Sequence, residues 1–529
     1  MIMWRSLVLI CFLAIGVTAQ ESQLGRVEFP TSGSPQAQAH FLHGLAALHS
    51  FWYEEALDAF RESTKVDPDF MMGYWGEAMT FNHPLWSEQD LTAARAVIAK
   101  IKDTPKLTDR ERAYLNAVKA LYGDGDKRAR DTAYSTAMEK VYRAYPDDLD
   151  AAAFYSLSLL GLTNPADKSY RLHAQAGAIA LEVYQKNPNH PGAAHYIIHA
   201  FDDPEHAILA LPAARRYASI APEAHHARHM PSHIFLQLGM WPEAASSNEA
   251  AWESSDAWMK RKNLSLNVRD YHSLHWLMYA YLQQGRYQKA QELLALMKKV
   301  MSESTYDNKL RPGYYENNWA NMAASFIVET EQWNLADELF PQNKPASEPS
   351  GTNGSHGGMH GGNGGATVRS SMASQNLPVF IRGLQAAIAG KASELQSIGA
   401  VNKLEVEALK ASMNGDNAAA IGLMMQATAL EEQGGAPYGP PTLIKPSHEL
   451  FGEILLRAGQ PKEAAQKFQV ALLRQPNRAR SLLGLARASA KSGDTATARS
   501  TYTKFLEQWK QADANLRELS EARDYLKEH

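Results

Sequence analysis

The sequence predicts an all-α protein built from repeated helix–turn–helix units. One observation is a set of small, aromatic and proline residues that recurs twice with intervals of 12, 4 and 8 residues. The first set is Gly44, Ala56, Phe60 and Pro68, and the second is Gly452, Ala464, Phe468 and Pro476. A second observation is composition: Leu, Ala, Glu, Lys and Gln, which favour helices, dominate, and short alternating apolar runs typical of strands are absent.

A shorter form of the pattern recurs elsewhere in the chain and within the second set. Each places a glycine five residues before an alanine: Gly239 with Ala244, Gly285 with Ala290, Gly459 with Ala464, and Gly493 with Ala498. Glycine suits a tight turn between two helices, and alanine lets paired helices approach closely. The pattern resembles the tetratricopeptide repeat (TPR), in an exported bacterial form. The resemblance implies a TPR-like solenoid with a concave groove that binds a protein or peptide partner.

Composition shifts divide the chain into five segments. Residues 1–19 read as a signal peptide, with Arg5 ahead of an apolar run, and predict a periplasmic or extracellular protein. Residues 20–35 are predicted to be a linker, 36–345 an N-terminal array and 377–529 a C-terminal array. Glycine, serine, histidine and methionine fill 346–376, which predicts a disordered linker between the two arrays. The only cysteine, Cys11, lies in the leader, so the mature chain is expected to contain no disulfide and no thiolate ligand.

Several function classes are disfavoured by the sequence. A formal net charge of −4 and the absence of a long basic run give no case for nucleic-acid binding. No apolar run outside the leader approaches the length of a membrane span. H-E-x-x-H, G-x-S-x-G and phosphate-binding glycine motifs are absent.

Histidine pairs are the feature that points to chemistry. His195 and His199 are four residues apart, as are His229 and His233, and the second pair repeats the first after 34 residues. An interval of four places both imidazoles on one helical face, with Cβ atoms about 5–6 Å apart. An interval of 34 is that of one TPR unit. At least two consecutive repeats therefore carry a histidine pair.

The resemblance implies that positions 2, 5, 9, 12 and 13 of each first helix face the groove. With repeats starting at Pro191, His225 and Tyr271, most of the clustered polar residues take those positions. The candidate metal ligands are His195, His199, His226, His229, His233, His272, His275 and Asp203. The candidate partner-binding residues of the groove are Asp202, Tyr271, Asn318 and Asn321.

These ligands suit zinc, copper or iron, and leave several functions open. The leading hypothesis is a binding scaffold whose groove holds a transition metal and a protein or peptide partner. One alternative is a metal-dependent hydrolase or oxidoreductase, with Asp202, Asp203 or Glu205 as acid–base group. Another is copper or zinc storage or delivery, with His356, Met359 and His360 as a capture loop. A polar network that shapes the groove without any metal also fits the residues, and no catalytic residue is assigned.

Overall fold

The computed structural model describes residues 23–529 apart from 165–166, 168, 304–313, 342–375, 392–394 and 396–397. Consecutive helices form antiparallel pairs, which confirms the all-α prediction. The helices before the 342–375 gap are Pro35–His49, Tyr53–Val66, Met71–Met79, Leu91–Ile98, Asp109–Leu121, Lys127–Ala144, Leu149–Gly161, Arg171–Lys186, Pro191–Ala200, Ala207–Ile220, His225–His229, Pro231–Gln237, Trp241–Lys262, Tyr271–Gln283, Tyr287–Met301, Tyr314–Thr330 and Ala336–Leu339. The predicted 346–376 linker lies outside the described residues, except for residue 376.

The chain after the gap continues in the same style. Its helices are Leu377–Ile388, Ala400–Met413, Asn417–Gln433, Ser447–Arg457, Pro461–Arg474, Ala479–Ser492, Thr495–Gln508 and Arg517–Glu528. Short 3-10 helices span Pro84–Trp86, Leu266–Val268 and Trp333–Leu335. The strands of the described chain, Asn82–His83 and Glu88–Gln89, pair antiparallel over two residues each. None of the described helices is long and apolar enough to cross a bilayer.

Phenylalanines on second helices explain the recurrent glycines. The Phe60 ring lies between Gly44 of its own repeat and Gly76 of the next, where an added Cβ would come within 3.0 Å and 2.3 Å of the ring. Phe468 lies against Gly452 of its own repeat in the same manner, at 2.7 Å. Glycine is required here because each ring fills the space that a side chain would take. The predicted repeat units are therefore packed alike at both ends of the molecule.

The segment before the first helix belongs to the core. Leu24 and Phe29 are fully buried, and the Phe29 ring packs against Phe41, Trp75 and Tyr114. The prediction of a linker over 20–35 is therefore wrong for the described part of that segment. Two apolar residues within a polar stretch are enough to hold it, because each buries a large side chain.

The two arrays pack against each other. The turn glycines Gly239 and Gly285 have φ of 65° and 68°, as predicted for tight turns, and the turns contact Asn477 and Trp509 of the C-terminal array. The Asn477 amide donates to the Gly239 carbonyl at 3.1 Å. The C-terminal array thus covers the turns of the N-terminal repeats that follow the histidine pairs.

A buried arginine reinforces this contact. Arg478 of the C-terminal array pairs with Glu449 and with Glu329, each at 2.7 Å, and donates to the Tyr279 hydroxyl at 2.8 Å. Glu329 and Tyr279 belong to the N-terminal array. A fully buried guanidinium with two carboxylate partners is stable only while all of them are present, so this cluster holds the arrays in one arrangement.

Candidate metal centre

Three neighbouring first helices carry the histidines. The helix Pro191–Ala200 begins at His190, whose ring accepts from the Ala193 N–H at 3.1 Å, and Tyr271–Gln283 begins at Asp270, which caps Ser273. The helix between them is divided at Met230, because Pro231 has no N–H to continue the hydrogen-bond ladder. These starts set the register that aims the imidazoles towards their neighbours.

The first histidine cluster lies between the first two of these helices. We call His195, His199 and His226 the 195 triad. The Nε2 of His195 is 2.9 Å from the Nε2 of His199 and 3.2 Å from the Nε2 of His226. The His195 Nδ1–H donates to the His49 carbonyl at 2.8 Å, so in the neutral ring the Nε2 carries a lone pair. Three imidazole nitrogens therefore converge on one point.

The second cluster repeats the first one helix further along. His229, His233 and His272 form the 229 triad, whose ligand atoms lie within 4.8 Å of one another. The Nε2 atoms of His229 and His233 are 3.1 Å apart, and the His272 ring centroid is 4.6 Å from that of His229. In each triad, positions 5 and 9 of one repeat meet position 2 of the next. The repeat itself thus generates the pair of triads.

Outer partners fix the tautomers of the 229 triad. The His233 Nδ1 is 2.7 Å from an Asp202 carboxylate oxygen, and the His229 Nδ1 donates to the Asn248 Oδ1 at 2.7 Å. The Asn248 amide cannot turn, because its nitrogen donates to the Ala244 carbonyl at 2.8 Å. When Asp202 is ionised, both Nδ1 hydrogens are donated outwards and two Nε2 lone pairs face each other across 3.1 Å.

A cation between the rings removes that repulsion. Two nitrogens bound to one tetrahedral ion at about 2.0–2.1 Å lie about 3.3–3.4 Å apart, close to the separations in both triads. Carboxylate, amide and carbonyl acceptors behind ligating imidazoles are the usual supports of metal sites. The triads also adjoin each other: ring centroids are 6.2 Å apart for His199 and His233, and 6.1 Å for His226 and His229. The residues present fit two transition-metal ions.

Burial controls the charge of these groups. It lowers the pKa of His226 well below the usual range, helped by the neighbouring imidazoles, and also lowers the pKa of His229. Burial raises the pKa of the Asp202 carboxyl well above its usual range. In the metal-free protein a proton on Asp202 removes the buried charge, and an ion bound at the Nε2 atoms would favour its release.

An aromatic side chain covers each triad. The Phe51 ring lies against His195 at 4.3 Å between centroids, and its backbone has φ of 53°, a strained value for a non-glycine residue. Trp276 packs on His233 at 4.2 Å. A Cβ at Gly439 would come within 2.3 Å of the Trp276 ring, so a segment of the C-terminal array packs directly against this ring. Both triads are thereby shielded from bulk water.

Several predicted site residues lie elsewhere. Asp203 accepts from the backbone N–H groups of Glu205 and His206 and is 2.9 Å from the His206 ring. Asp202, predicted for a partner-binding groove, is instead the buried partner of His233. His275 lies outside the two triads, and burial lowers its pKa to about 4.

The predicted groove residues have a mixed outcome. Tyr271 does not line a groove: it is fully buried, and its hydroxyl donates to the Leu266 carbonyl at 3.0 Å. Its place at the start of the helix directs the ring into the core between repeats, against Tyr315. Asn318 and Asn321 are half-buried, and their role as partner contacts stays a prediction.

A third polar cluster lies behind the 195 triad. Asp150 is 2.9 Å from the His49 Nε2 and 3.4 Å from the His190 Nε2. The His190 Nδ1 accepts a backbone hydrogen, so its Nε2 carries the proton in the neutral ring and points it at Asp150. That tautomer cannot bind a metal through Nε2. The cluster is a hydrogen-bonded support for His49, whose carbonyl holds His195.

Comparisons with known proteins agree on helices and give no family. No protein-family model and no curated protein matches the chain. Among solved structures, it is similar to the APC/C hetero-tetramer Cut9–Hcn1 (9% identity, 93% of this chain, 75% of that chain, TM-score 0.35). It is also similar to the TPR domain of P58(IPK), with 13% identity over 93% of this chain and 98% of that chain and a TM-score of 0.22. Its similarity to yeast Tom70 is 11% identity over 93% of this chain and 88% of that chain, with a TM-score of 0.29. At such TM-scores the repeat assignment rests on the helix pairs described above.

Proposed function

We propose that this protein is an exported helical-repeat protein that binds two transition-metal ions, one in each triad. One observation carries the proposal. His229 and His233 face each other through Nε2 at 3.1 Å while Asn248 and Asp202 hold both of their Nδ1 atoms. With Asp202 ionised, both Nε2 lone pairs are available to a cation, and the outer acceptors at the Nδ1 atoms are the usual supports of ligating imidazoles.

The number of ligands favours a reactive centre over a purely structural one. Structural sites are closed by four protein ligands, whereas catalytic sites keep three and leave a position for water or substrate. Each triad offers three imidazoles. His199, His226 and His272 are 7%, 8% and 9% exposed, so each triad has at least one histidine that solvent still reaches in part. We therefore favour a metal-dependent enzyme over storage or a scaffold that only binds metal.

Peptide binding in the groove is less well supported near the triads. Gln237, at a groove position, donates to the Pro437 carbonyl at 2.9 Å and to Asp202 at 3.2 Å. The backbone that this groove contacts therefore belongs to the same chain. A peptide partner would have to bind further along, where Asn318 and Asn321 lie.

Metal analysis of the purified full-length chain tests the proposal. We expect about two ions per chain after dialysis against a mixture of copper, zinc and iron salts. His199→Ala and His272→Ala should each retain about one ion, and the double variant about none.

His275→Ala is the matched control, because His275 shares a repeat position with His195 and His229 but lies outside both triads. It should keep both ions. Wild-type protein that retains fewer than about 0.2 ions per chain would rule out the centre.

A further inference from the structure

The charge of the ligand set selects among the metals. All six triad donors are imidazoles, which are neutral when they bind a metal. Two described carboxylates stand beside the triads but outside the donor set, because Asp202 bonds the His233 Nδ1 and Asp270 bonds His225. Two divalent ions would bring a charge of +4 into a shielded site, and two monovalent ions only +2. Burying excess charge is costly, so the donor set favours monovalent ions.

Of zinc, iron and copper, copper is the metal with an accessible monovalent state, and imidazole is a suitable ligand for copper. Resting on the proposed function, we propose that the triads hold a pair of Cu(I) ions and that this pair takes up dioxygen as peroxide. Each copper gives one electron, the O–O double bond is reduced to a single bond, and two Cu(II) ions and one peroxide dianion result. No proton is consumed, and no further reductant is needed.

The charge of the site is the same before and after this step. Two Cu(I) ions carry +2, and two Cu(II) ions with a peroxide also carry +2. Because the site has no anionic ligand of its own, a divalent pair needs an external dianion, and the reduction of dioxygen supplies one in place. A redox-inactive divalent pair, such as zinc, would have to take up hydroxide or another anion from solvent.

A small cavity lies beside the aromatic cover of the 195 triad. Phe51 covers the 195 triad and also forms part of a cavity of about 20 Å³. That cavity is lined mainly by apolar side chains, among them Leu48 and Phe154. Such a volume holds one small molecule. No triad histidine lines this cavity, so it provides apolar space behind Phe51 and not a binding position at the Nε2 atoms.

Oxygen uptake by copper-loaded protein tests the inference. The full-length chain is loaded under argon with two equivalents of Cu(I), and dioxygen is then titrated in while absorption and copper X-ray edges are recorded. We expect one dioxygen consumed for every two coppers, a new near-ultraviolet peroxide-to-copper band, and edges that move from Cu(I) to Cu(II).

The single-triad variants make the test specific. His199→Ala and His272→Ala should each hold one copper, consume no dioxygen and show no band, while His275→Ala behaves as the wild type. Two bound coppers without dioxygen uptake would overturn the inference and leave the two-ion centre standing. Oxidation of the single-triad variants at the wild-type stoichiometry would also overturn it. Failure to bind copper or any other metal would overturn both proposals.

Discussion

The two triads follow the same repeat rule but have different supports. In the 195 triad the described outer partner is a neutral backbone carbonyl, that of His49. In the 229 triad the partners are the Asp202 carboxylate and the Asn248 amide. A carboxylate behind an imidazole raises its basicity and adds negative charge near the ion. The 229 triad should therefore bind its ion more tightly, fill first and empty last.

The difference shows that the positions of the ligands and the affinity for the ion are set by different residues. The repeat supplies three imidazoles at the same positions twice over. Affinity is then set by residues that the repeat does not specify. They include His49, at the end of the helix Pro35–His49, and Asn248, in the helix Trp241–Lys262. Variants in the outer partners should change one triad without the other.

Removal of His233 should have the largest effect. His233→Ala deletes a ligand and leaves Gln237 as the described donor to the buried Asp202, and loss of a partner by a buried polar group costs about 1–3 kcal/mol. We expect loss of one ion and a marked drop in the apoprotein's free energy of unfolding, measured by urea titration.

His199→Ala is the matched variant in the other triad. It should lose one ion with a smaller drop in stability, because its neighbour His195 keeps its hydrogen bond to the His49 carbonyl. Equal destabilisation of the apoproteins by the two variants would contradict the assigned roles of the supports.

Neutralising the carboxylate should weaken one site only. Asp202→Asn keeps the shape and an acceptor oxygen but removes the charge, which typically costs about 10–100-fold in metal affinity. The measurement is a competition titration with a chromophoric chelator in a His199→Ala background, where only the 229 triad binds. Asp203→Asn, next along the chain and bonded to His206, is the control and should change neither site. Unchanged affinity in Asp202→Asn would argue against a metal-supporting carboxylate.

The fold was predictable because the contacts within each repeat join residues that are close together in the sequence. Gly452, Ala464 and Phe468 act within one pair of helices, so fixed intervals report their contacts directly. The same holds for His195 and His199, which are four residues apart on one helix. The sequence was less informative about which histidine of the neighbouring helix completes each triad. His272 belongs to the 229 triad and His275 does not, because position 2 of the next repeat completes each triad and position 5 does not.

The supports could not be read from the sequence. His49 lies 146 residues before His195 along the chain, and Asn248 lies on a second helix, where no groove position was expected. Position numbers describe one helix face and carry no information about such distant contacts. The groove prediction for Tyr271 was wrong for a related reason. Its position in the repeat suits a groove, but its ring packs against other aromatic rings in the core between repeats.

A change behind the 195 triad should weaken that triad modestly. A Cβ at Gly192 would lie 2.4 Å from the His49 Nδ1, so Gly192→Ala must displace His49, whose carbonyl holds His195. We expect several-fold weaker binding in a His272→Ala background and a loss of about 1–3 kcal/mol in stability, as for other overpacked sites. Gly422→Ala is the control, since nothing lies within 4 Å of its Cβ position and alanine favours the helix. Binding that stays at wild-type strength in Gly192→Ala would show that the His49 carbonyl is dispensable.

His275 should affect stability and not ion content. Burial lowers the pKa of this imidazole from 6.5 to about 4. The unfolded chain therefore takes up the proton first as pH falls, and the stability present above pH 6.5 is lost between pH 6.5 and 4. The full shift corresponds to up to about 3 kcal/mol. His275→Leu should flatten this fall in the apoprotein, measured by urea titration across that range, while metal analysis still gives both ions. A variant that unfolds with the wild-type pH dependence, or that loses an ion, would mean that His275 is not the buried neutral neighbour of two complete triads.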